Sequence, residues 1–285
     1  IRALRAAKVL GYKVASVYST VDKDQKHLKL SDEAICIGPG PAKDSYLNEA
    51  AIIAAAELAD VDAIYPGFGF LAENASFAEK CNQSGFKFIG PDPKVIEIMG
   101  DKIKAKDLVE SLGIPIVPGY SGDITSNEQI KSIVKEIGYP VIVKATSGGG
   151  GKGMRIVNEE DELWDSIVSA QNEAKLAFGD DKVFIEKYLS KPRHIEIQIF
   201  GDGKGKVVHL YSRDCSLQRK YQKILEEAPA LNVPKEKLDE IQNICVKACK
   251  EINYAGAGTL EFLYENGQFF FIEMNTRIQV EHTVT

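Results

Sequence analysis

Two stretches of this sequence carry residue types suited to phosphate and metal chemistry. The first is Ser147, four consecutive glycines at 148–151, then Lys152 and Gly153. Four glycines in a row cost heavily in chain entropy, so something must offset them. Backbone N–H groups freed of side chains can close on an oxyanion or a phosphate. The spacing is not a Walker A loop, which needs Gly at 146 and Ser or Thr at 153; the chain has Thr146 and Gly153. Gly148, Gly150 and Gly153 satisfy GxGxxG, but Met154, Arg155, Ile156 and Val157 follow. That continuation reads as a strand, whereas the dinucleotide fingerprint opens a helix. A strand, a glycine loop and a second strand read as a mobile flap over a nucleotide. A plain hairpin turn is the alternative, although it needs only one or two glycines.

The second stretch, GTLEFLYENGQFFFIEMN, reads as a hairpin carrying Glu261, Glu273 and Asn275 among apolar neighbours. A two-residue Asn266-Gly267 turn pairs Glu265 with Gln268 and sends the two carboxylates to opposite faces. A three-residue loop pairs Tyr264 with Gln268, and both carboxylates then share one face. The second register is preferred because it leaves Leu260, Phe262, Tyr264, Phe270, Ile272 and Met274 on a uniformly apolar face. Continuing the strand adds Arg277 and Gln279 to the Glu273 side. Two carboxylates and an amide oxygen are hard ligands for Mg²⁺ carrying phosphates; without a cation, their proximity raises one pKa. The plainer alternative is surface residues of an edge hairpin. Gly67, Gly69 and Ala72 also fit GxGxx(G/A), a match equally well explained by a tight strand-to-helix turn.

The elements that must position these residues follow from hydrophobic period. Strands are expected near 12–19, 33–39, 63–69 and 86–91, with helices near 1–10, 47–59 and 73–83, as in βαβ units of a parallel sheet. From about Pro91, a helix over 93–112 ends at Gly113. Ser126 and Gln129 have capping-box spacing for a helix running to Gly138. A helix near 160–177, the hairpin RHIEIQIFGDGKGKVVHLYSRDCS and a helix at 235–251 precede the last hairpin. The expected fold is α/β plus α+β: a parallel-sheet domain over 1–90, then a second region over 91–285 with the glycine flap near 116–190.

The composition is globular: 285 residues, 44% apolar, 27% charged, net charge −6. No apolar run approaches the ~20 residues that span a bilayer, and the acidic balance argues against nucleic acid. Five widely spaced cysteines without CxxC argue against disulfides or zinc and for a reducing cytosol. Cys245 and Cys249 read as buried helix-face residues; Cys215 shows no sign of a nucleophile, and His27 and His209 read as surface or hairpin residues. Ile1 opens inside a helical pattern and Thr285 follows without a cap, so the sequence is expected to be a piece of a longer protein.

The segments KATSGGGGKGMRIV, VFIEKYLSKPRHIEIQIFGD, RDCSLQRKYQKILEEAPA, YPGFGFLAEN and GAGTLEFLYENGQFFFIEMNTRIQVEHTVT resemble biotin carboxylase, the ATP-grasp component of acetyl-CoA carboxylase and related biotin-dependent carboxylases. The resemblance covers essentially the whole chain, truncated at both ends. It implies a Rossmann-like (pre-ATP-grasp) domain followed by an ATP-grasp domain with the glycine flap. It further implies that Lys102 and Lys144 hold ATP phosphates under the backbone of Gly150 and Gly151. Glu186, Lys187, Tyr188 and Leu189 border adenine, His194 contacts ribose, and Gln218 and Tyr221 contact the nucleotide. Tyr221 departs from the family, which often has His there. By the same resemblance Glu261 and Glu273, with Asn275, hold Mg²⁺ or Mn²⁺. Lys223, Arg277, Gln279 and Val280 hold bicarbonate, Glu281 is the general base, and Phe68 and Gly69 approach biotin.

The implied reaction is ATP-dependent carboxylation of biotin through carboxyphosphate. Glu281 deprotonates bicarbonate, which attacks the γ-phosphorus; Lys223 and Arg277 orient it, and Arg277 later stabilises the biotin anion. The implied partners are a biotin carboxyl carrier protein or domain, a carboxyltransferase and a second copy in a full-length homodimer. Nucleic acid and membrane are not expected, and the setting is cytoplasmic. The isolated piece is expected to be catalytically inactive. The alternatives are another ATP-grasp ligase of the carbamoyl-phosphate synthetase kind, which the biotin-type segments argue against, and a non-catalytic nucleotide-binding module.

Overall fold

The computed structural model describes residues 1–146, 154–219 and 222–285. By contacts the chain divides into two units: one of residues 1–97 with 276–278, the other of 98–275 with 279–285.

The first unit alternates helix and strand: α1 (Arg2–Val9), β1 (Ala15–Tyr18), β2 (Glu33–Cys36), α2 (Glu49–Leu58), β3 (Ala63–Ile64), α3 (Ala75–Gln83) and β4 (Lys87–Phe88). β1 pairs with β2 and β3 with β4, both in parallel, the arrangement expected of strands joined through helices. Asn48 and Asn74 cap α2 and α3 through their side-chain oxygens. Phe77, Ala78, Cys81, Phe86, Phe88 and Ile96 bury together as the core of this unit. Gly67 (φ 73°) and Gly69 (φ 80°) form a turn, and α3 begins only at Ala75, so their match is turn geometry.

The single helix expected over 93–112 is two, α4 (Pro93–Gly100) and α5 (Lys102–Ser111). The break is local chemistry: Asp101 Oδ1 accepts the N–H groups of Ile103 and Lys104, which caps a new helix at that point. After β5 (Gly119–Tyr120) comes α6 (Asn127–Ile137). Ser126 Oγ accepts from Gln129 N–H at 3.1 Å, and the return bond from Gln129 Oε1 goes to the N–H of Thr125 at 2.9 Å. β6 (Val141–Ala145) and β7 (Arg155–Val157) are the antiparallel arms of the glycine loop. With α7 (Leu163–Phe178) and β8 (Val183–Lys187) they complete a four-stranded sheet of order β5-β8-β6-β7. Ile130, Val134, Val141, Val143, Leu163, Ile167 and Ile185 form the core between its one face and α6 and α7. Lys144 and Glu186 lie on the other face.

The remaining strands are β9 (Arg193–Asp202), β10 (Val207–Arg219), β11 (Gln222–Glu227), β12 (Ala255–Glu265) and β13 (Gln268–Asn275), in the order β11-β10-β9-β12-β13. Helix α8 (Lys235–Glu251) packs on β9 and β10. Cys245 and Cys249 are buried on its inner side, where burial pushes both thiols up, Cys249 to about 12. The five cysteines are free thiols. Ile195, Ile197, Ile199, Leu260, Phe262, Phe271 and Met274 are buried on one side of this sheet. At about 1.5–3 kcal/mol for each large apolar side chain buried, that side anchors the sheet and frees the opposite one for charge.

The last hairpin corrects the register expected from the sequence. Glu265 pairs with Gln268, so the turn is the two-residue Asn266-Gly267 (φ 52° and 80°), not a three-residue loop. The carboxylates nevertheless share a face. Phe262 pairs with Phe271 and Glu261 with Glu273, so Ile272 is an extra residue in β13. One inserted residue flips everything beyond it to the other face.

Candidate functional site

Register brings the charged side chains together. Arg213 on β10 pairs with Glu196 on β9, Glu196 with Glu261 on β12, and Glu261 with Glu273 on β13. Directly paired residues project to one side, so a cation and three carboxylates form one row across four strands. Beside it runs an uncharged row: Gln198, Thr259 and Asn275.

The ammonium of Lys223, on β11, meets this row. Its three N–H bonds reach three carboxylates: Glu196 Oε2 at 2.5 Å, Glu261 Oε1 at 2.8 Å and Glu281 Oε1 at 2.8 Å. Burial works against the charged ammonium, but Glu261 and Glu196 outweigh it and push its pKa well up. Glu261 Oε1 also accepts from Asn275 Nδ2 at 2.7 Å and Gln279 Nε2 at 2.9 Å, and its Oε2 lies 2.9 Å from His194 Nε2. Burial raises the Glu261 carboxyl, yet His194 and Lys223 hold it down at about 2. Glu281 is likewise lowered, its partial burial outweighed by Lys223, so it is an ionised carboxylate at neutral pH.

Glu273 moves the other way. The surrounding protein and the Glu261 charge raise its pKa, and Lys102 at the start of α5 only partly relieves it. The row therefore carries excess negative charge, most acute between Glu261 and Glu273. These oxygens, with the Asn275 amide oxygen, suit a hard divalent cation, whose charge would offset both the burial and the Glu261 charge that raise Glu273. The ligand atoms of His194, Glu196 and Glu261 also lie within 4.8 Å of one another. Glu196 already gives one oxygen to Arg213 and the other to Lys223, and Glu261 likewise meets Lys223 and His194, so a cation at Glu261 would take the place of one of those donors.

The other expected residues fall in separate places. Lys144 Nζ pairs with Glu186 Oε2 at 2.7 Å, and Lys106 of α5 pairs with the other oxygen. Gly119 lets β5 approach β8 closely: a Cβ there would stand 2.5 Å from the Ile185 carbonyl oxygen and 3.1 Å from Glu186 Cγ. Lys187 spends its ammonium on the carbonyls of Gly138 and Tyr139, and Tyr188 N–H donates to Pro140 O. Leu189 is half-buried beyond β8. Gln218 Nε2 donates to Cys215 O, and its backbone pairs with Lys223. Val280 is exposed. In the first unit, Phe68 is exposed beside Gly69, and Arg277 Nε donates to Glu73 Oε2 at 2.6 Å. Gly150, Gly151 and Tyr221, with the glycine loop, lie outside the described residues.

Three residues escaped the sequence reading: Glu196, Arg213 and Glu73. The first had a signal, since His194, Glu196 and Gln198 alternate with three isoleucines. Arg213 and Glu73 acquire meaning only from partners far away in sequence.

Two family models match the chain: "Biotin carboxylase, N-terminal domain" over residues 1–96, and "Carbamoyl-phosphate synthase L chain, ATP binding domain" over residues 101–285. Biotin carboxylase of Haemophilus influenzae is 56% identical over the whole chain. The chain belongs to the biotin carboxylase family. It spans 64% of that relative's length. A second relative in this family, the mitochondrial methylcrotonoyl-CoA carboxylase subunit alpha of Oryza sativa subsp. japonica, is 50% identical over the whole chain, which covers 39% of it. Among solved structures, the biotin carboxylase domain dimer of Hydrogenobacter thermophilus 2-oxoglutarate carboxylase superposes with a TM-score of 0.87 at 47% identity, over 99% of this chain and 62% of that one. Its crystals hold MgADP, ADP and bicarbonate. The family's ATP-grasp fold agrees with the fold class expected from the sequence. Among the described residues no helix is long and apolar enough to cross a membrane.

Proposed function

We propose that this chain carries the nucleotide-binding and bicarbonate-activating residues of an enzyme that carboxylates biotin with ATP and bicarbonate. The observation that carries the reading is Lys223 held among Glu196, Glu261 and Glu281, beside a carboxylate pair short of positive charge. In this reading Lys102 and Lys144 take ATP phosphates, Gly150 and Gly151 cover them, and Glu186 to Leu189 border the base. His194, Gln218 and Tyr221 complete the nucleotide contacts. Glu261, Glu273 and Asn275 hold Mg²⁺ or Mn²⁺, which when bound supplies positive charge against the phosphates.

Bicarbonate is a poor electrophile, and phosphorylation turns one of its oxygens into a leaving group. Glu281 is ionised and can accept the bicarbonate proton. Lys223 and Arg277, with Gln279 and the Val280 backbone, orient the anion, which attacks the γ-phosphorus and displaces ADP. The resulting carboxyphosphate breaks into CO₂ and inorganic phosphate; the phosphate takes the proton from the biotin ureido nitrogen, and the biotin anion so formed, stabilised by Arg277 near Phe68 and Gly69, adds CO₂. We further propose a biotin carboxyl carrier protein or domain and a carboxyltransferase as partners, a homodimer for the full-length protein, and acetyl-CoA as final acceptor. This chain's residues bear on the biotin step alone, so the carboxyltransferase selects the acceptor.

The test is ATP hydrolysis by the full-length enzyme that depends on bicarbonate and is stimulated by free biotin. Hydrolysis indifferent to biotin would favour a carbamoyl-phosphate synthase-like ligase, in line with the family model over 101–285. Nucleotide binding without hydrolysis would favour a regulatory module.

A further inference from the structure

The proposed chemistry makes no use of Arg213, although this guanidinium is fully buried at the end of the charged row. Its Nε donates to Glu196 Oε1 at 2.5 Å, Nη1 to Gln198 Oε1 at 2.8 Å and Thr285 Oγ1 at 2.7 Å, and Nη2 to Gln279 Oε1 at 2.8 Å and Thr259 Oγ1 at 3.3 Å. A guanidinium has donors and no acceptor, so every partner must offer it an oxygen.

That one-sidedness fixes two other groups. Gln279 must turn its oxygen toward Arg213, which aims its amide nitrogen at Glu261 Oε1, 2.9 Å away. Glu196 must give Oε1 to Arg213, which leaves Oε2 for Lys223. Two arms thus run from one buried fork, one ending on Lys223 and the other on Glu261. Stability alone is a weak reason to keep such a group, since apolar replacements of buried ion pairs are often as stable.

We propose that Arg213 is a positioning residue for bicarbonate activation: through Glu196 it sets where the Lys223 ammonium stands, and through Gln279 it sets the Glu261 carboxylate. This rests on the functional reading above, in which Lys223 and Gln279 face bicarbonate. Lysine keeps the charge but lacks the planar fork, so Arg213→Lys tests geometry and not charge.

The experiment uses the full-length enzyme. Arg213→Lys is expected to raise the half-saturating bicarbonate concentration about tenfold or more while moving that for MgATP less than about twofold. Equal shifts in both, or a lower kcat with the bicarbonate value unchanged, overturn the proposal. A second readout needs no turnover. The Gln279 side-chain amide, assigned in nitrogen-15 spectra by its loss in Gln279→Met, is expected to exchange slowly in the wild type and rapidly in Arg213→Lys; slow exchange in both overturns the proposal. If Arg213→Lys does not fold, Glu196→Gln cuts the near arm, because its amide oxygen must face Arg213 and its nitrogen then faces the Lys223 ammonium; it is expected to raise the bicarbonate value about threefold or more, and no change overturns the proposal. A wild type without bicarbonate-dependent hydrolysis refutes the functional reading and with it the role in bicarbonate activation; the amide exchange then separately decides whether Arg213 fixes Gln279.

Discussion

Among the four carboxylates gathered on the charged sheet face, Glu273 is pushed up, through its protein surroundings first and the Glu261 charge second. A divalent cation held there, as proposed, would offset both effects, so Glu273→Gln is expected to weaken Mn²⁺ binding by about tenfold or more while leaving the melting temperature near that of the wild type. A titration followed by electron paramagnetic resonance checks this, and unchanged Mn²⁺ affinity would remove Glu273 from the metal site. Glu186 shows the opposite sign. Burial raises its carboxyl, but Lys144 and Lys106 outweigh burial and hold it below the ordinary range. Its pairing therefore stabilises the fold above the unfolded-chain value of about 4.3 and loses that effect as pH falls through the lower folded value. Glu186→Gln is expected to cost about 3 kcal/mol at pH 7, because it strands two lysines. The difference from wild type in urea unfolding should shrink below about pH 4; a gap independent of pH would contradict the pairing. Glu261, Glu273, Lys223 and Glu281 were singled out because their segments are distinctive, and the structure gathers them at one sheet face. Glu196 and Arg213 were not, since each is defined by a strand register that no local window contains.

At the scale of elements, the sequence reading departs from the structure at one turn and at one helix. Asn266-Gly267 is the preferred two-residue hairpin signal, and the hairpin obeys it; the clean separation of polar from apolar faces is then restored by the extra Ile272. Face pattern alone could not distinguish a longer loop from a short turn plus a bulge, because both put Glu273 with Glu261 and Met274 with Leu260; they differ nearer the turn, where Phe269 and Phe271, not the expected Phe270 and Ile272, share the side of Phe262. Two glycines test the hairpin and its neighbour. Gly267 has φ 80° and open space around a would-be Cβ, so Gly267→Ala is expected to cost about 1 kcal/mol of backbone strain alone. At Gly201 a Cβ would stand 2.1 Å from the Tyr254 carbonyl oxygen, so Gly201→Ala must move β9 from β12 and is expected to cost about 3 kcal/mol. Guanidinium unfolding of both variants measures the contrast, and equal costs would mean that the strands part easily. The split of 93–112 into α4 and α5 was missed because Asp101 reads equally well as a helix residue and as a cap.

For the molecule as a whole, the chain does not keep its two units in simple succession. Residues 276–278 group with the first unit although Asn275 and Gln279 on either side group with the second. Glu73 holds this stretch, accepting from Thr276 N–H at 3.0 Å and from Arg277 Nε. Glu73→Ala is expected to lower biotin-dependent turnover of the full-length enzyme by about tenfold with nucleotide affinity retained, as a lost orienting contact should. Turnover equal to wild type would show that Arg277 needs no such partner. Hydrophobic period gave no sign of this return crossing, which depends on one carboxylate about two hundred residues upstream. The saturation of Lys223 has a last consequence. With each ammonium proton already claimed by a carboxylate, a newcomer bearing negative charge finds no empty berth. It must evict an incumbent, so how firmly it is held reflects a swap between rivals and not simple attraction to a cation.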